Sequence, residues 1–330
     1  MATATRSVRA SSPAAALPPD RVGVSPFACA ACEASIAPNR PILRRSATCP
    51  FDLFRCRDCG MVQQQPRYTA DDLARLYAGD YYVFDEDDAL RSARAAQQYA
   101  LHLAPIEHHP SRRLLDVGCA MGHFSALARE RGWQVVGLDV SADAARRAAE
   151  RFGMDVLIGS LEDHANALSS FDVVFLGDVI EHVPRPLHFL RDVRRVLAPN
   201  GVVCVDTPNW GGFWRRRGGR HWLGLNRFHI NLFDAASLGK LLTAAGFGRI
   251  HTGSYTNLRY TRWTSRPEIA ALIARLPRAL AWRVNRLIAR KSPNSGTTPT
   301  PSAGAALRAL SNLSGDNLIV RASPAAVWEP

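Results

Sequence analysis

The chain has 330 residues, enough for one large α/β core and a smaller accessory unit. Hydrophobic residues make up 47% and charged residues 21%, ordinary for a soluble globular protein, and no apolar run approaches the about 18 residues that a bilayer-spanning helix needs. The net charge of +12 keeps anionic partners, nucleic acid among them, under consideration.

Residues 1–20 are rich in Ala, Ser, Arg and Pro, with Asp20 their only acid. They read as a disordered tail; the composition also mimics a transit peptide, but it has no long apolar core for export. Residues 21–66 hold five of the seven cysteines. The spacings Cys29-x-x-Cys32 and Cys56-x-x-Cys59-Gly60 each let two thiolates meet one tetrahedral ion. A disulfide pairing needs an oxidising compartment, which no export signal supports. The segment looks like a zinc ribbon, with Cys29, Cys32, Cys56 and Cys59 as metal ligands. Four thiolates close the coordination sphere, so the Zn2+ is read as structural. Cys49 is a spare, and Glu33 stands where a glycine commonly follows the second cysteine. A unit this small builds no core without its metal. It is expected to unfold by itself on loss of Cys56, leaving the larger domain folded.

Residues 67–104 read as a helical linker or cap around Asp80-Tyr81-Tyr82, whose tyrosines are expected to line a pocket. The acidic cluster at 85–88 reads as a solvated face. The main domain is expected over 105–330. Its first strand, Arg113–Val117, runs into Gly118-Cys119-Ala120-Met121-Gly122-His123, and helical sequence follows over Phe124–Arg131. A second strand, Gln134–Val140, carries Asp139 near its tip. A carboxylate there takes ribose hydroxyls in doubly wound sheets, so the ligand is a nucleoside. Ala120 and His123 break a dinucleotide fingerprint, and the Gly-Lys-Ser/Thr of a phosphate loop is absent. The remaining turn suits a ligand without phosphates, its ammonium held by Asp116 and its carboxylate by helix amides. S-adenosylmethionine (SAM) fits. The competing reading is an ordinary crossover with a glycine turn.

Ser141 is the expected N-cap of helix Ala142–Phe152, which ends at Gly153. Strand three is Met154–Ile158, strand four begins at Phe171, and strand five is Val202–Asp206. A loop over 207–233 carries Trp210, Trp214, Trp222 and Arg215-Arg216-Arg217, in the position where α/β enzymes recognise substrates. Helix Ala235–Ala245, strand six at Arg249–Tyr255 and strand seven at Asn317–Ser323 complete the domain. Between the last two lies a basic helical insertion, 256–315, with an apolar stripe. It reads as a helix pair or lid packed on the core, or as a peripheral membrane contact through 256–291.

These segments together resemble a class I SAM-dependent methyltransferase. Phe171-Asp172-Val173-Val174-Phe175-Leu176-Gly177-Asp178-Val179-Ile180-Glu181-His182-Val183 is similar to the family's fourth strand and following loop. Leu190 to Gly201 is similar to its helix and glycine turn into strand five, and Pro208-Asn209 and His229-Ile230-Asn231-Leu232-Phe233 match its later loop. The resemblance covers residues 90–255 and the last strand. It implies a doubly wound, seven-stranded, Rossmann-like sheet. It puts Asp116, Gly118, Cys119, Gly122, Asp139, Val140, Leu161, Glu162 and Asp178 around the cofactor. The N-terminal half, including Gln65-Pro66-Arg67-Tyr68, is similar to bacterial methyltransferases that carry such a ribbon and act on sugars, polyketides or other secondary metabolites. The nucleotide-sugar C-methyltransferases among them usually have a longer C-terminal domain.

Methyl transfer to a hydroxyl or activated carbon gains from a general base near the methyl group. His229, His182 and Asp178 are the candidates, with Glu181 and His182 equally able to anchor the next helix. Cys119 and Cys204 otherwise read as small core residues. The leading reading is methylation of a small-molecule or lipid-linked acceptor: a glycan precursor, sugar nucleotide or secondary metabolite. It is placed in the cytoplasm or at a membrane periphery. RNA or protein methylation is the second reading, although the ribbon lacks stacked aromatics and no specific nucleic acid is expected. A non-catalytic zinc and SAM-fold scaffold is the third.

Overall fold

The computed structural model describes residues 28–37, 39–45, 51–65, 68, 88–107, 111–222, 224–255 and 315–324. The tail expected over 1–20, Cys49, the Tyr81-Tyr82 pair and, except for Gly315, the basic insertion with its expected membrane or lipid-linked contact lie outside the described residues. Among the described residues no helix is long and apolar enough to cross a membrane.

The ribbon hairpin comes first. Strand β1 (Asp52–Arg55) pairs antiparallel with β2 (Val62–Gln65). Both knuckles close with the same backbone: Glu33 N–H donates to Cys29 O at 2.9 Å, and Gly60 N–H to Cys56 O at 3.1 Å. Glu33 takes φ 60 where Gly60 takes φ 85. The departure from glycine therefore leaves the turn intact, at the usual cost of left-handed backbone.

Helix α1 (Asp88–His102) leads to the main sheet. Its strands are β3 (Arg113–Val117), β4 (Gln134–Asp139), β5 (Val156–Ile158), β6 (Phe171–Gly177), β7 (Leu197–Pro208), β9 (Phe247–Tyr255) and β10 (Asn317–Pro324). They lie in the order β5-β4-β3-β6-β7-β10-β9, all parallel except β10, which runs against both neighbours. This is the expected doubly wound seven-stranded α/β sheet. The order reverses between β3 and β6, and open sheets of this kind hold ligands beyond the strand ends at that point.

Alternation along the strands explains the layers. Leu114, Val173, Phe175 and Cys204 face α1 and helix α2 (His123–Glu130). Leu115, Val117, Val174, Leu176, Val203 and Val205 face helices α5 (Pro186–Val196) and α7 (Ala235–Ala244). With both faces buried, each fully covered leucine contributes about 1.5–3 kcal/mol. Helix α3 (Ala142–Phe152) starts on the Ser141 side chain, which accepts from Ala144 N at 3.2 Å, and ends at Gly153 with φ 58.

Two regions depart from the sequence reading. Residues 197–201, expected as a turn, already extend β7, and a register shift opposite Phe171–Val173 absorbs the extra length. The loop expected over 207–233 is more structured than its composition suggests. It contains helix α6 (Phe213–Gly218), a single helical turn at Gly219–His221, and strand β8 (Asn231–Leu232), which pairs antiparallel with β2. Trp210, Trp214 and Trp222 are not offered to a substrate. They are buried with Phe51, Leu53, Val62 and Leu232, forming a small core between this segment and the ribbon hairpin. The Arg215 guanidinium stacks over the Trp210 ring, 3.6 Å from its centroid.

Candidate cofactor and acceptor site

The turn after β3 alternates left-handed residues: Gly118 at φ 70, Ala120 at φ 48 and Gly122 at φ 80. A Cβ on Gly118 would stand 2.7 Å from Val179 Cγ2, and one on Gly122 would stand 3.0 Å from Met154 Sδ. Both positions favour glycine for backbone, and Gly118 needs it for space as well. Ala120 tolerates the same backbone at a cost of about 1–2 kcal/mol. Its N–H donates to Asp139 Oδ2 at 2.8 Å, and Ser141 N–H donates to Asp139 Oδ1 at 2.8 Å. The carboxylate at the tip of β4 is thus fixed by an amide on each oxygen. Asp116, buried below the turn, accepts from Ser125 Oγ at 2.5 Å. Burial pushes its carboxyl up to about 7, assisted by the nearby Asp139 charge and opposed by the Ser125 hydrogen bond.

Val140 and Ile158 stand at neighbouring strand ends, where Asp139 pairs with Ile158, and are 55% and 54% exposed. Exposed apolar residues beside a strand-end acid suit the flat face of a base. The sequence reading names Val140 and not Ile158, whose only signal is an apolar residue ending strand three before Gly159. Leu161 turns into the main core and Cys119 is buried, while Glu162 is exposed on the short helix α4 (Leu161–His164). Cys119 and Leu161 are left with mainly backbone to offer a ligand.

On the other side of the switch point, Asp178 follows β6 in left-handed backbone, φ 54, and forms an ion pair with Arg94 of α1. Arg94 carries no sequence signal for this role. Glu181 and His182 occupy the single helical turn Ile180–His182 that follows, and His229 lies on the segment after β7. The structure brings these three together. The two imidazole rings meet edge to face at 4.9 Å, and His182 Nε2 lies 3.9 Å from Glu181 Oε1. His182 Nδ1 is hydrogen-bonded to Phe228 O at 2.8 Å and His229 Nδ1 to Gly224 O at 3.0 Å. Burial pulls His182 down to about 4 and His229 well below its usual value, the latter helped by His182 and Arg94. Both rings are therefore neutral near pH 7. Burial also pushes Glu181 up to about 8. Behind them, Asp206 accepts from Tyr255 Oη at 2.8 Å and Asn317 Nδ2 at 2.8 Å, with His102 at 3.4 Å. These partners hold it below the usual carboxylate range although burial opposes them.

The four expected metal ligands also converge. Cys29 Sγ is 3.5 Å from Cys59 Sγ, Cys32 Sγ is 3.6 Å from Cys56 Sγ, and all four lie within 4.8 Å of one another. Thiolates about 2.3 Å from one tetrahedral zinc stand about 3.8 Å apart, so the donor set fits such an ion. Gln63 braces the first knuckle, accepting from Ala30 N at 2.9 Å and donating to Ala28 O at 3.1 Å.

A family model described as a methyltransferase domain matches residues 51–252. A Mycolicibacterium smegmatis protein named as a probable S-adenosylmethionine-dependent methyltransferase is 34% identical over 137 residues, 41% of this chain and 52% of that one. A trans-aconitate 2-methyltransferase of Rhodopseudomonas palustris is 33% identical over 135 residues, 40% of this chain and 50% of that one. The chain thus spans about half the length of these curated relatives. The crystal structure of a SAM-dependent methyltransferase from Archaeoglobus fulgidus aligns over 74% of this chain and 99% of that chain, with a TM-score of 0.48 and 17% identity.

Proposed function

The chain belongs to the methyltransferase-domain family of SAM-dependent enzymes, and on that premise we propose that it methylates a small-molecule acceptor: a glycan precursor, sugar nucleotide or secondary metabolite. The observation that carries the reading is the turn from Gly118 to Gly122, closed by the Ala120 amide on Asp139. In this reading Asp139 accepts the ribose hydroxyls, Val140 and Ile158 flank the adenine, and Asp116 answers the ammonium. Bound SAM supplies a methyl group on a sulfonium, a leaving group already in place. The protein's share is to align the acceptor and exclude water. His182 and His229, neutral and anchored at Nδ1, are suited to holding an acceptor hydroxyl through their other nitrogens. Asp178, in an ion pair with Arg94, is better suited to positioning than to taking a proton. The cysteine cluster is read as a structural zinc site that holds the ribbon hairpin against the acceptor-side segment.

Calorimetric titration of the full chain with SAM tests the cofactor half of this reading, and absence of binding removes it. Transfer of labelled methyl from SAM to pooled sugar nucleotides and hydroxylated metabolites, against RNA and protein pools, tests the acceptor class. Label appearing only in a macromolecular pool overturns the small-molecule assignment.

A further inference from the structure

Glu181 is 1% exposed, and its carboxylate is only half accounted for. Oε2 accepts from Thr207 Oγ1 at 2.9 Å, whereas Oε1 is buried with no hydrogen-bond partner. An orphaned buried acceptor costs about 1–3 kcal/mol, more when charged. The nitrogen next to it, His182 Nε2 at 3.9 Å, is too far for a hydrogen bond. One donor atom from each of Glu181, His182 and His229 nevertheless lies within 4.8 Å of the others.

We propose that Glu181, His182 and His229 form a second metal site, distinct from the cysteine cluster, for a divalent first-row cation. Each histidine has its Nδ1 on a main-chain carbonyl, Phe228 O or Gly224 O, which sets the tautomer that presents Nε2 as a donor. Ligating histidines are commonly oriented in this way by outer-shell partners. Two imidazoles and one carboxylate form a donor set for borderline divalent ions, leaving coordination positions open for water or substrate. Donors about 2.0–2.2 Å from a shared ion stand about 3.0–3.6 Å apart, so loading shortens the separations in this cluster by no more than about 1.8 Å.

The position suggests a use. Glu181 and His182 follow β6 and His229 follows β7, so the site faces the acceptor side of the switch point. A cation there binds an acceptor hydroxyl and lowers its pKa, so that the oxygen is held as its conjugate base and the proton passes to solvent. This use rests on the methyltransferase reading above; the ion site itself does not. Acceptors with a second neighbouring oxygen, such as vicinal diols, catechol-type rings or hydroxy acids, would chelate best.

The test uses the full chain with its ribbon metal retained, after mild chelation, with Mn2+ alone as the probe. Mn2+ prefers oxygen and nitrogen donors, so the cysteine cluster competes poorly. Calorimetry and electron paramagnetic resonance are expected to give one Mn2+ per chain, with nitrogen hyperfine coupling from imidazole in the unaltered protein. Glu181→Gln and His229→Ala should each lower Mn2+ affinity by at least about 10–100-fold. Circular dichroism and thermal melts of the same samples report whether the variants fold, and SAM titration is run beside them. No Mn2+ binding, binding without nitrogen coupling, or folded variants that bind Mn2+ like the parent overturn the site. If Mn2+ binds as expected but SAM does not, the ion site stands and the methyltransferase reading fails.

Discussion

The side-chain amide of Gln64, on the ribbon hairpin, donates to the main-chain oxygen of His229 at 2.8 Å, and also to that of Asn226 at 2.8 Å. Strands β2 and β8 pair immediately beside it, Val62 opposite Leu232 and Gln63 opposite Asn231. The cysteine-rich unit and the segment carrying His229 therefore move as one piece. Neighbouring glutamines divide the work: Gln63 braces the first knuckle, and Gln64 braces the histidine loop.

Gln64→Ala should destabilise the protein by about 1–3 kcal/mol, because two carbonyls lose a buried donor. Methyl transfer should fall while SAM affinity stays near that of the parent, since Asp139 and its amides lie on the other side of the switch point. Denaturant melts and SAM calorimetry on one preparation check this. A variant with full stability and activity would show that the bridge does not hold the loop.

The doubly wound sheet was legible because its strands are covered on both faces and read as apolar runs, and because glycine and capping residues punctuate them. Gly118, Gly122 and Asp139 could be found for the same reason: each answers a local demand, positive φ, close approach or a strand-end acid. The three tryptophans misled. A run of aromatics and arginines beyond a strand end looks like a recognition surface, but whether it faces solvent depends on what packs against it. Here that is a hairpin some 150 residues earlier in the chain, so no local pattern reveals it. The Arg94–Asp178 ion pair and the meeting of His182 with His229 are likewise long-range facts.

Metal analysis should find about one tightly held zinc per chain, lost in Cys56→Ser. The consequences should not stop at the ribbon. Cys29, Cys56, Cys59 and Met61 belong to the same buried cluster as Phe233 and Leu238, so losing the ion should lower the melting temperature of the whole molecule. That differs from the independent unfolding that the ribbon's small size alone suggests. Two separate transitions in calorimetry of the variant, the upper one unchanged, would restore the independent picture.

Asp139→Ala should weaken SAM binding by about 1.5–3 kcal/mol, the range for hydrogen bonds to a charged group. It also frees the amides of Ala120 and Ser141, so part of the loss is turn geometry rather than ribose contact. Asp139→Asn separates the two. It keeps one acceptor for an amide and discards the charge, and should retain more of the affinity than alanine. Equal losses in both would assign the whole effect to the charge.

The pH dependence follows from Asp116. Its carboxyl titrates near 7 in the folded chain, pushed up by burial, against about 3.9 in an unfolded one. Between those values the folded state binds more protons, so this group makes stability fall as pH rises from about 4 to about 7, then level off. SAM reverses the preference, because its ammonium favours the ionised carboxylate. Binding should therefore release a proton below about pH 7, and SAM affinity should climb with pH up to that point and flatten above it. Titrations at about pH 5.5 and about pH 7.5, in buffers of different ionisation enthalpy, read both effects. Asp116→Asn removes the buried charge and should be at least as stable as the parent near pH 7.5, yet bind SAM more weakly and without proton release. A flat affinity profile in the parent across that range would mean that Asp116 does not meet the ammonium.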